Sequence, residues 1–159
     1  MYLVENDYQI LKLTEQFYSN YPNPPYVEIL KKRERAYSCL LFQSHYDYFI
    51  CVPYRSEINH SNAFHFMQSV RSRKHKSGLD YSKIVIITKP EYIDTQDAII
   101  DRDEFVETVK NLDRIKQEAL NFVEDYVAHM NGTKVLHQRE FQRRYGYSPL
   151  KYFHKELKI

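Results

Sequence analysis

The chain has 159 residues, of which 43% are hydrophobic and 28% charged, with 15 tyrosines and no tryptophan. This length and composition predict one globular domain spanning residues 1–159, with a hydrophobic core of its own. No apolar run approaches the roughly 18 residues that a membrane-spanning helix needs, so we expect no membrane association.

The net charge of +2 is distributed unevenly along the chain. Residues 1–90 contain 12 Lys/Arg and 8 Asp/Glu, residues 91–131 contain 4 and 11, and residues 132–159 contain 7 and 2. If the two basic segments fold together, they form a groove for an anionic partner. The alternative is that all three segments are solvated faces without a ligand.

The N-terminus and the cysteines both favour a cytoplasmic protein. Residues 1–7 have neither the basic nor the apolar region of a signal peptide. Cys39 and Cys51 lie in apolar, strand-like runs and lack CxxC spacing. We therefore expect two reduced, buried thiols, and a disulfide is the less favoured alternative.

The first half of the chain has the patterns of strands. Tyr8–Leu13 is predicted to be a strand, and Thr14 is predicted to cap a short helix. Residues 36–54 predict a β-hairpin that is apolar on both faces and therefore lies inside the sheet. Lys83–Thr88 predicts another buried strand, and a short strand is expected to begin at Tyr92-Ile93.

The second half changes to helical spacing. Asp101 and Glu104 have the spacing of a capping box that starts one long helix, which Asn131-Gly132 ends. A core-facing stripe is predicted at Phe105, Val109, Leu112, Ala119, Val123 and Tyr126. Two short helices, Leu136–Tyr145 and one from Pro149 to about Leu157, form a basic tail. Strands followed by helices predict an α+β fold, a small curled sheet or barrel with helices outside.

Several chemistries lack their sequence patterns. The seven histidines are scattered, and no third ligand lies near the pair His60 and His65. There is no HExxH motif, glycine-rich phosphate loop or GxSxG elbow. We therefore expect no metal and no cofactor.

The segment Val52–His60 is the main candidate site. It closes an apolar strand and then presents Arg55, Ser56 and His60. Metal-free RNA cleavage uses the 2′-OH as nucleophile, and it needs a base, an acid and positive charge on the phosphorane. The arginine fork suits the phosphorane, serine can orient the phosphate or the 2′-OH, and histidine suits proton transfer. A strand-end salt bridge with a cap is the structural alternative.

Two basic segments extend this candidate site. Residues 71–76 predict a flexible cationic loop before a strand, which is either a phosphate binder or only a surface loop. The tail interleaves basic and aromatic residues in a way that suits RNA, although its apolar residues could instead dock the tail on the core. The predicted RNA contacts are Tyr54, Arg71, Arg73, Lys74, Lys76, Lys83, Lys134, Arg139, Arg143, Arg144 and Lys151.

A stretch within the tail suggests a different class of protein. Phe141–Tyr152 resembles the last helix-turn-helix stretch of AraC-type regulators, through an aromatic, a Gly-x-Ser-Pro turn and a tyrosine. That family needs two such motifs in a larger all-helical domain, whereas this match covers fewer than 30 residues. A DNA-binding regulator is therefore the third hypothesis, after an endoribonuclease and a non-catalytic RNA-binding module.

Taken in order, the motifs resemble one family over most of the chain. They are Arg35-Ala-Tyr37, a hairpin ending in Pro53-Tyr-Arg-Ser56, and Ser77-Gly-Leu-Asp-Tyr-Ser-Lys-Ile-Val-Ile-Ile87. A capped helix and a basic helical tail follow. This order is similar to that of the ToxN/AbiQ toxins of type III toxin–antitoxin systems, most closely their CptN and TenpN branches.

The resemblance implies a compact Kid/MazF-like, SH3-like antiparallel barrel surrounded by helices. It implies a metal-independent endoribonuclease that acts on mRNA and leaves a 2′,3′-cyclic phosphate. It also implies inhibition by an antitoxin RNA, a processed repeat folded as a pseudoknot, in a closed ring or cage of protein and RNA.

At the level of residues the resemblance is partial. Arg35 matches the basic residue that the family places before the first hairpin strand. Ser56 matches the second member of a hydroxyl pair, and Arg55 replaces the first. Ile58 stands where the ToxN branch has a lysine. The cation of the site is therefore expected to be Arg55 or one of the basic residues 71–76.

Overall fold

The computed structural model describes residues 8–31 and 38–159. Its strands are β1 Tyr8–Leu13, β2 Ser38–Gln43, β3 Phe49–Arg55, β4 Ala63–His65, β5 Gly78–Asp80, β6 Val85–Ile87 and β7 Ile93–Asp97. Its helices are α1 Glu15–Asn20, α2 Val70–His75, α3 Arg102–Lys110, α4 Leu112–Asn131, α5 Gln138–Tyr145 and α6 His154–Leu157. Short 3-10 turns occupy Tyr81–Lys83, Pro90–Tyr92 and Pro149–Tyr152. The predicted α+β class is confirmed.

All strand pairs are antiparallel, and they form one sheet in the order β4-β5-β3-β2-β1-β7, with β6 also paired to β3. The predicted hairpin is confirmed as β2 and β3, which lie in the middle of this sheet. Within the described ranges, β4, β6 and β7 each pair on one side only, so the sheet does not close on itself as the expected barrel would.

Strand β3 has two partners along one side. Its first half pairs with β6, where Cys51 lies opposite Val85, and its end pairs with β5, where Tyr54 lies opposite Leu79. From the Cys51–Val85 pair to the Tyr54–Leu79 pair, β3 covers three residues, whereas the segment that joins β5 to β6 covers six. The 3-10 turn Tyr81–Lys83 is therefore a three-residue insertion in one interrupted strand, and it leaves the ladder beside the end of β3.

The cysteine prediction is wrong. Cys39 on β2 and Cys51 on β3 form a disulfide, with their Cα atoms 5.7 Å apart. The hairpin register places Cys39 opposite Pro53 and Cys51 opposite Leu41, so the two cysteines are diagonal neighbours across the strands. That separation lies in the ordinary range for a disulfide.

The single long helix is in fact two helices, which meet at Asn111. Asp101 is the N-cap residue of α3, but its side chain makes no capping hydrogen bond. The predicted inward stripe is wrong in α3, because Phe105 and Val109 are exposed. The buried face of α3 consists of Glu104, Glu107 and Thr108 instead.

Helix α4 follows the predicted pattern and packs on the sheet. Ala119, Val123 and Tyr126 are buried, as predicted. The helix ends at Gly132, whose φ of 76° is the left-handed conformation typical of a helix terminus. No helix in the described ranges is long and apolar enough to cross a membrane.

The tail docks on the core through its apolar residues. Tyr145, Leu150, Phe153 and Leu157 are all buried. The predicted second tail helix is divided into the 3-10 turn Pro149–Tyr152 and the four-residue α6. The part of the tail that resembles a helix-turn-helix therefore presents no continuous second helix to a DNA groove.

Candidate functional site

Arg55 and Asp80 meet where β3 and β5 end. Arg55 lies opposite Gly78 in the ladder, and Asp80 follows two residues later on β5. The Arg55 Nη1 atom donates to Asp80 Oδ2 at 2.7 Å. The side chain of Asp80 is 0% exposed, whereas that of Arg55 is 31% exposed. The buried carboxylate therefore fixes an arginine that still reaches the surface.

Three further donors surround the same carboxylate. Ser82 donates to Asp80 Oδ1 through its backbone N–H at 2.9 Å and through its hydroxyl at 2.6 Å. His60 Nε2 lies 3.3 Å from Asp80 Oδ1 and 3.3 Å from Ser82 Oγ. These contacts compensate for burying the charge. We refer to Arg55, His60, Asp80 and Ser82 as the Asp80 cluster.

The hydrogen bonds of His60 determine which of its nitrogens carries a proton. The backbone N–H of Asn62 donates to His60 Nδ1 at 3.1 Å. In a neutral imidazole the proton is then on Nε2, which faces Asp80 and Ser82. The carbonyl of His60 also accepts a hydrogen bond from His65 Nε2 at 2.8 Å. In this arrangement His60 is a positioned donor rather than a free general base.

Lys83 lies next to the Asp80 cluster, at the end of the 3-10 turn. Its Nζ donates to the carbonyl oxygen of Tyr147 at 2.8 Å. Burial lowers the pKa of Lys83 below its ordinary value of 10.5, and the positive charges of Arg55 and Lys151 act in the same direction. The negative charge of Asp80 opposes this shift. Lys83 is thus a partly desolvated amine that joins the cluster to the tail.

The tail also contacts Glu28, which lies between α1 and β2. Lys151 Nζ donates to Glu28 Oε1 at 2.8 Å, and the hydroxyl of Tyr152 donates to the same carboxylate. Lys151 remains substantially exposed. Glu28 and Lys151 both lie close enough to Lys83 to influence its pKa, so charges from three parts of the chain meet here.

Other predicted catalytic residues differ in their surroundings. Ser56 is half-buried, and no hydrogen bond joins its side chain to the described part of the chain. Ile58 is 2% exposed and belongs to the interior. Arg35 lies outside the described residues. The cluster therefore contains Arg55 and His60 from the prediction, but not Ser56.

Asp80 and Ser82 are missing from the sequence prediction, although they form the centre of the cluster. Their spacing could have predicted this turn. An aspartate two residues before a serine is typical of a turn in which the carboxylate accepts hydrogen bonds from the backbone N–H and the hydroxyl of the serine. Here that turn follows a strand, which places the carboxylate at the sheet end.

The basic segment 71–76 is not the expected loop but mostly helix α2, with Ser69 as its N-cap. Arg71 donates to Glu104 Oε1 at 3.3 Å, and Lys76 Nζ donates to Asn59 Oδ1 at 3.1 Å. Arg73 and Lys74 are exposed. Lys76 is exposed as well, so the segment keeps three exposed cations, and among its Lys and Arg residues only Arg71 is half-buried.

Carboxylates on α3 hold this segment in place. Glu107 accepts hydrogen bonds from the backbone N–H groups of Met67 and Gln68, at 2.7 and 3.1 Å. Glu104 accepts a hydrogen bond from the Ser77 hydroxyl at 2.6 Å. Burial raises the pKa of Glu104 above its ordinary value of 4.5, although Ser77 and Arg71 oppose the shift. These bonds explain why carboxylates, and not the apolar residues of α3, face inward.

The remaining predicted RNA contacts are in different environments. Tyr54 is only 6% exposed, and its hydroxyl shares a 3.0 Å hydrogen bond with Thr108 of α3, so a direct RNA contact there does not fit the structure. Lys134 and Arg144 both pair with Asp125 at 3.2 Å. Arg139 and Arg143 are exposed, and Lys134 is exposed as well although it pairs with Asp125.

One cavity of about 650 Å³ lies between the β2–β3 turn, helix α4 and the C-terminus. Tyr46, Glu124 and Ile159 are among its lining residues, and it includes no member of the Asp80 cluster. Its size alone does not make it the site, because its lining contains Asp47, Glu124 and Asp125 against one lysine, Lys158, whereas RNA needs a cationic surface. No group of metal-binding side chains occurs in the described ranges.

No protein-family model matches the chain, and comparisons with curated proteins and with solved structures also give no match. The geometry of the Asp80 cluster and the sequence resemblance are therefore what point to a function.

Proposed function

We propose that this protein is a metal-independent endoribonuclease toxin of a type III toxin–antitoxin system. It would cleave mRNA by attack of the 2′-OH and leave a 2′,3′-cyclic phosphate. The observation that supports this most directly is the fully buried Asp80 carboxylate, which organises Arg55, Ser82 and His60 at an open sheet end. The resemblance to ToxN/AbiQ toxins supports the same function.

Each member of the site would have a separate role. Arg55 uses one N–H for Asp80 and has others available for the phosphorane oxygens. Neutral His60 has a single Nε2–H, so it would donate to the phosphate by giving up its contact with Asp80, and Ser82 would then hold the ring in position. Lys83 would place positive charge beside the phosphate, and it is also a candidate for proton exchange with the substrate, since burial lowers its pKa from the ordinary lysine value.

The partners and the finer fold belong to the same proposal. The inhibitor would be the toxin's own repeat RNA, folded as a pseudoknot and held with the protein in a ring or cage. A cytoplasmic location belongs to the same proposal, but the Cys39–Cys51 disulfide removes the support that reduced thiols would give it. The sheet would be a Kid/MazF-like, SH3-like core. Purified protein with a high 260 nm absorbance from short RNA of uniform length would support this partner.

A specific observation favours one alternative, a non-catalytic RNA-binding module. Both nitrogens of His60 are engaged with other groups of the protein, so neither is free to take up a proton, which suits a binding surface better than proton transfer. The two functions differ in whether bound RNA is cut.

The decisive experiment measures cleavage of RNA in EDTA by the wild type, by Arg55→Ala and by the control Arg102→Ala. Arg102 is an exposed arginine at the start of α3, outside the Asp80 cluster. We expect Arg55→Ala to lower the cleavage rate about 100- to 1,000-fold, with a smaller loss of RNA affinity, because Arg55 stabilises the transition state.

The products should end in a 2′,3′-cyclic phosphate, which mass spectrometry identifies. Cleavage that requires magnesium would contradict the mechanism. Wild-type protein that binds RNA but leaves it intact would favour the binding module. Undiminished cleavage by Arg55→Ala would remove Arg55 from the site.

A further inference from the structure

Four aromatic residues of the tail, Tyr145, Tyr147, Tyr152 and Phe153, differ in their access to a ligand. Tyr145 and Phe153 are buried, and Tyr152 is half-buried with its hydroxyl bonded to Glu28. Tyr147, in contrast, is 76% exposed. Of these four rings, only that of Tyr147 is largely open to solvent.

The backbone that supports this exposed ring is fixed on both sides. The carbonyl of Tyr147 accepts the 2.8 Å hydrogen bond from Lys83. The N–H of Ser148 donates to the Tyr145 carbonyl at 3.0 Å, and Ser148, Pro149 and Leu150 are buried. A ring on a fixed backbone loses little conformational freedom when a ligand stacks on it.

Lys83 connects this ring to the Asp80 cluster. It is three residues beyond Asp80 in the chain, and its ammonium group directly contacts the Tyr147 backbone. Lys151 is a further exposed cation nearby. An aromatic ring beside cations is the combination that binds single-stranded nucleic acid, since the base stacks on the ring while the phosphate meets the charge.

We propose that Tyr147 is a nucleobase-stacking subsite for single-stranded RNA, with Lys83 binding the phosphate of the stacked nucleotide. This inference rests on the proposed RNA-directed function and adds to it a residue that selects the substrate. The subsite favours unpaired over duplex RNA, because a paired base has no free face. It favours purines over pyrimidines, because stacking strength rises with the size of the ring system.

Binding is measured with a short single-stranded RNA that carries 2′-O-methyl sugars, so that attack by a 2′-OH is impossible. The variants are Tyr147→Leu and Tyr147→Phe. We expect Tyr147→Leu to weaken binding about 5- to 150-fold and Tyr147→Phe to bind like the wild type. Tyr46→Leu, at an exposed tyrosine of the β2–β3 turn, is the matched control and should bind like the wild type.

Tyr147→Trp gives a direct readout, because the chain contains no tryptophan. Stacking predicts quenching of its fluorescence by the oligonucleotide, and an abasic nucleotide at the stacked position should abolish the quenching. Because Tyr147 is exposed, the free energy of unfolding measured in urea should be nearly unchanged in the three variants at Tyr147.

The outcomes separate the subsite from the proposed function. Loss of affinity in Tyr147→Leu, with no RNA cleavage by the wild type, supports the subsite and rejects the nuclease. RNA cleavage by the wild type, with normal affinity in Tyr147→Leu and no quenching in Tyr147→Trp, overturns the subsite and leaves the nuclease. A wild-type protein that does not bind the oligonucleotide overturns the subsite as well.

Discussion

Replacing Asp80 by asparagine tests whether the buried carboxylate organises the site. The substitution keeps the size of the side chain and removes its charge. An amide also presents N–H donors, so Arg55 and Ser82 can no longer both donate to an ionised acceptor. The partly buried guanidinium of Arg55 would be left without its ion pair.

The expected loss of stability follows from the burial of this pair. Removing one partner of a fully buried ion pair costs about 3–5 kcal/mol. Asp80 is 0% exposed, but Arg55 is 31% exposed and regains some hydration, so we expect a loss of about 2–3 kcal/mol. Urea unfolding followed by circular dichroism measures this loss. The control Asp101→Asn, at an exposed N-cap without a side-chain bond, should change stability by less than about 0.5 kcal/mol.

For Asp80→Asn we expect opposite effects on RNA affinity and on the cleavage rate. Removing a negative charge beside the phosphate should leave RNA affinity equal or higher. Single-turnover cleavage should slow about 100-fold, because Arg55 and His60 lose the group that positions them. A normal cleavage rate despite the stability loss would show that Asp80 serves only the fold. Unchanged stability would show that the buried ion pair with Arg55 does not contribute.

Two further predictions concern the fold. The double variant Cys39→Ser/Cys51→Ser should lose about 3 kcal/mol of unfolding free energy, because the disulfide restricts the unfolded chain. Reductant should destabilise the wild type but not the variant, and equal effects on both proteins would contradict the disulfide. Because burial raises the pKa of Glu104, wild-type stability should fall as the pH rises from about 4.5 through the folded-state pKa, since the folded protein holds this proton more tightly. The stability of Glu104→Gln relative to the wild type should therefore increase over that range, and a difference independent of pH would refute this.

The elements set by local signals are those that the sequence predicts well. The Thr14 cap is confirmed, since its side chain accepts a hydrogen bond from the N–H of Phe17. The β2–β3 hairpin and the Gly132 helix end are confirmed as well. Each of these depends on neighbouring residues only, so a single sequence contains the whole signal.

The disulfide shows a consequence of local structure that cysteine spacing alone does not reveal. Cys39 and Cys51 lack a recognised motif, and their spacing suggested unpaired thiols. The predicted hairpin, however, already brings the two strands side by side. Its turn lies near residue 46, so Cys39 and Cys51 are at similar distances from the turn on the two strands. Hairpin register is therefore the better guide to pairing than motif spacing.

Helix α3 shows why hydrophobic periodicity can give the wrong face. Phe105 and Val109 have the spacing of a core stripe, yet Glu104 and Glu107 face inward. Those carboxylates satisfy the backbone N–H groups of residues 67 and 68 and the hydroxyl of Ser77, all distant in sequence. Unmet backbone donors are costly to bury, and no local pattern shows where they lie.

The position of the candidate site follows from the interrupted pairing of β3. The same edge of β3 pairs with β6 and then with β5, and the three extra residues between them cannot continue the ladder. Two of them, Ser82 and Lys83, therefore project beside the end of β3, where Arg55 emerges. Residue 58, where the proposed family would have a lysine, is Ile58, and its side chain is buried. Lys83 supplies a positive charge to the same sheet end from the 3-10 turn, and in the proposed function it would take the place of that lysine.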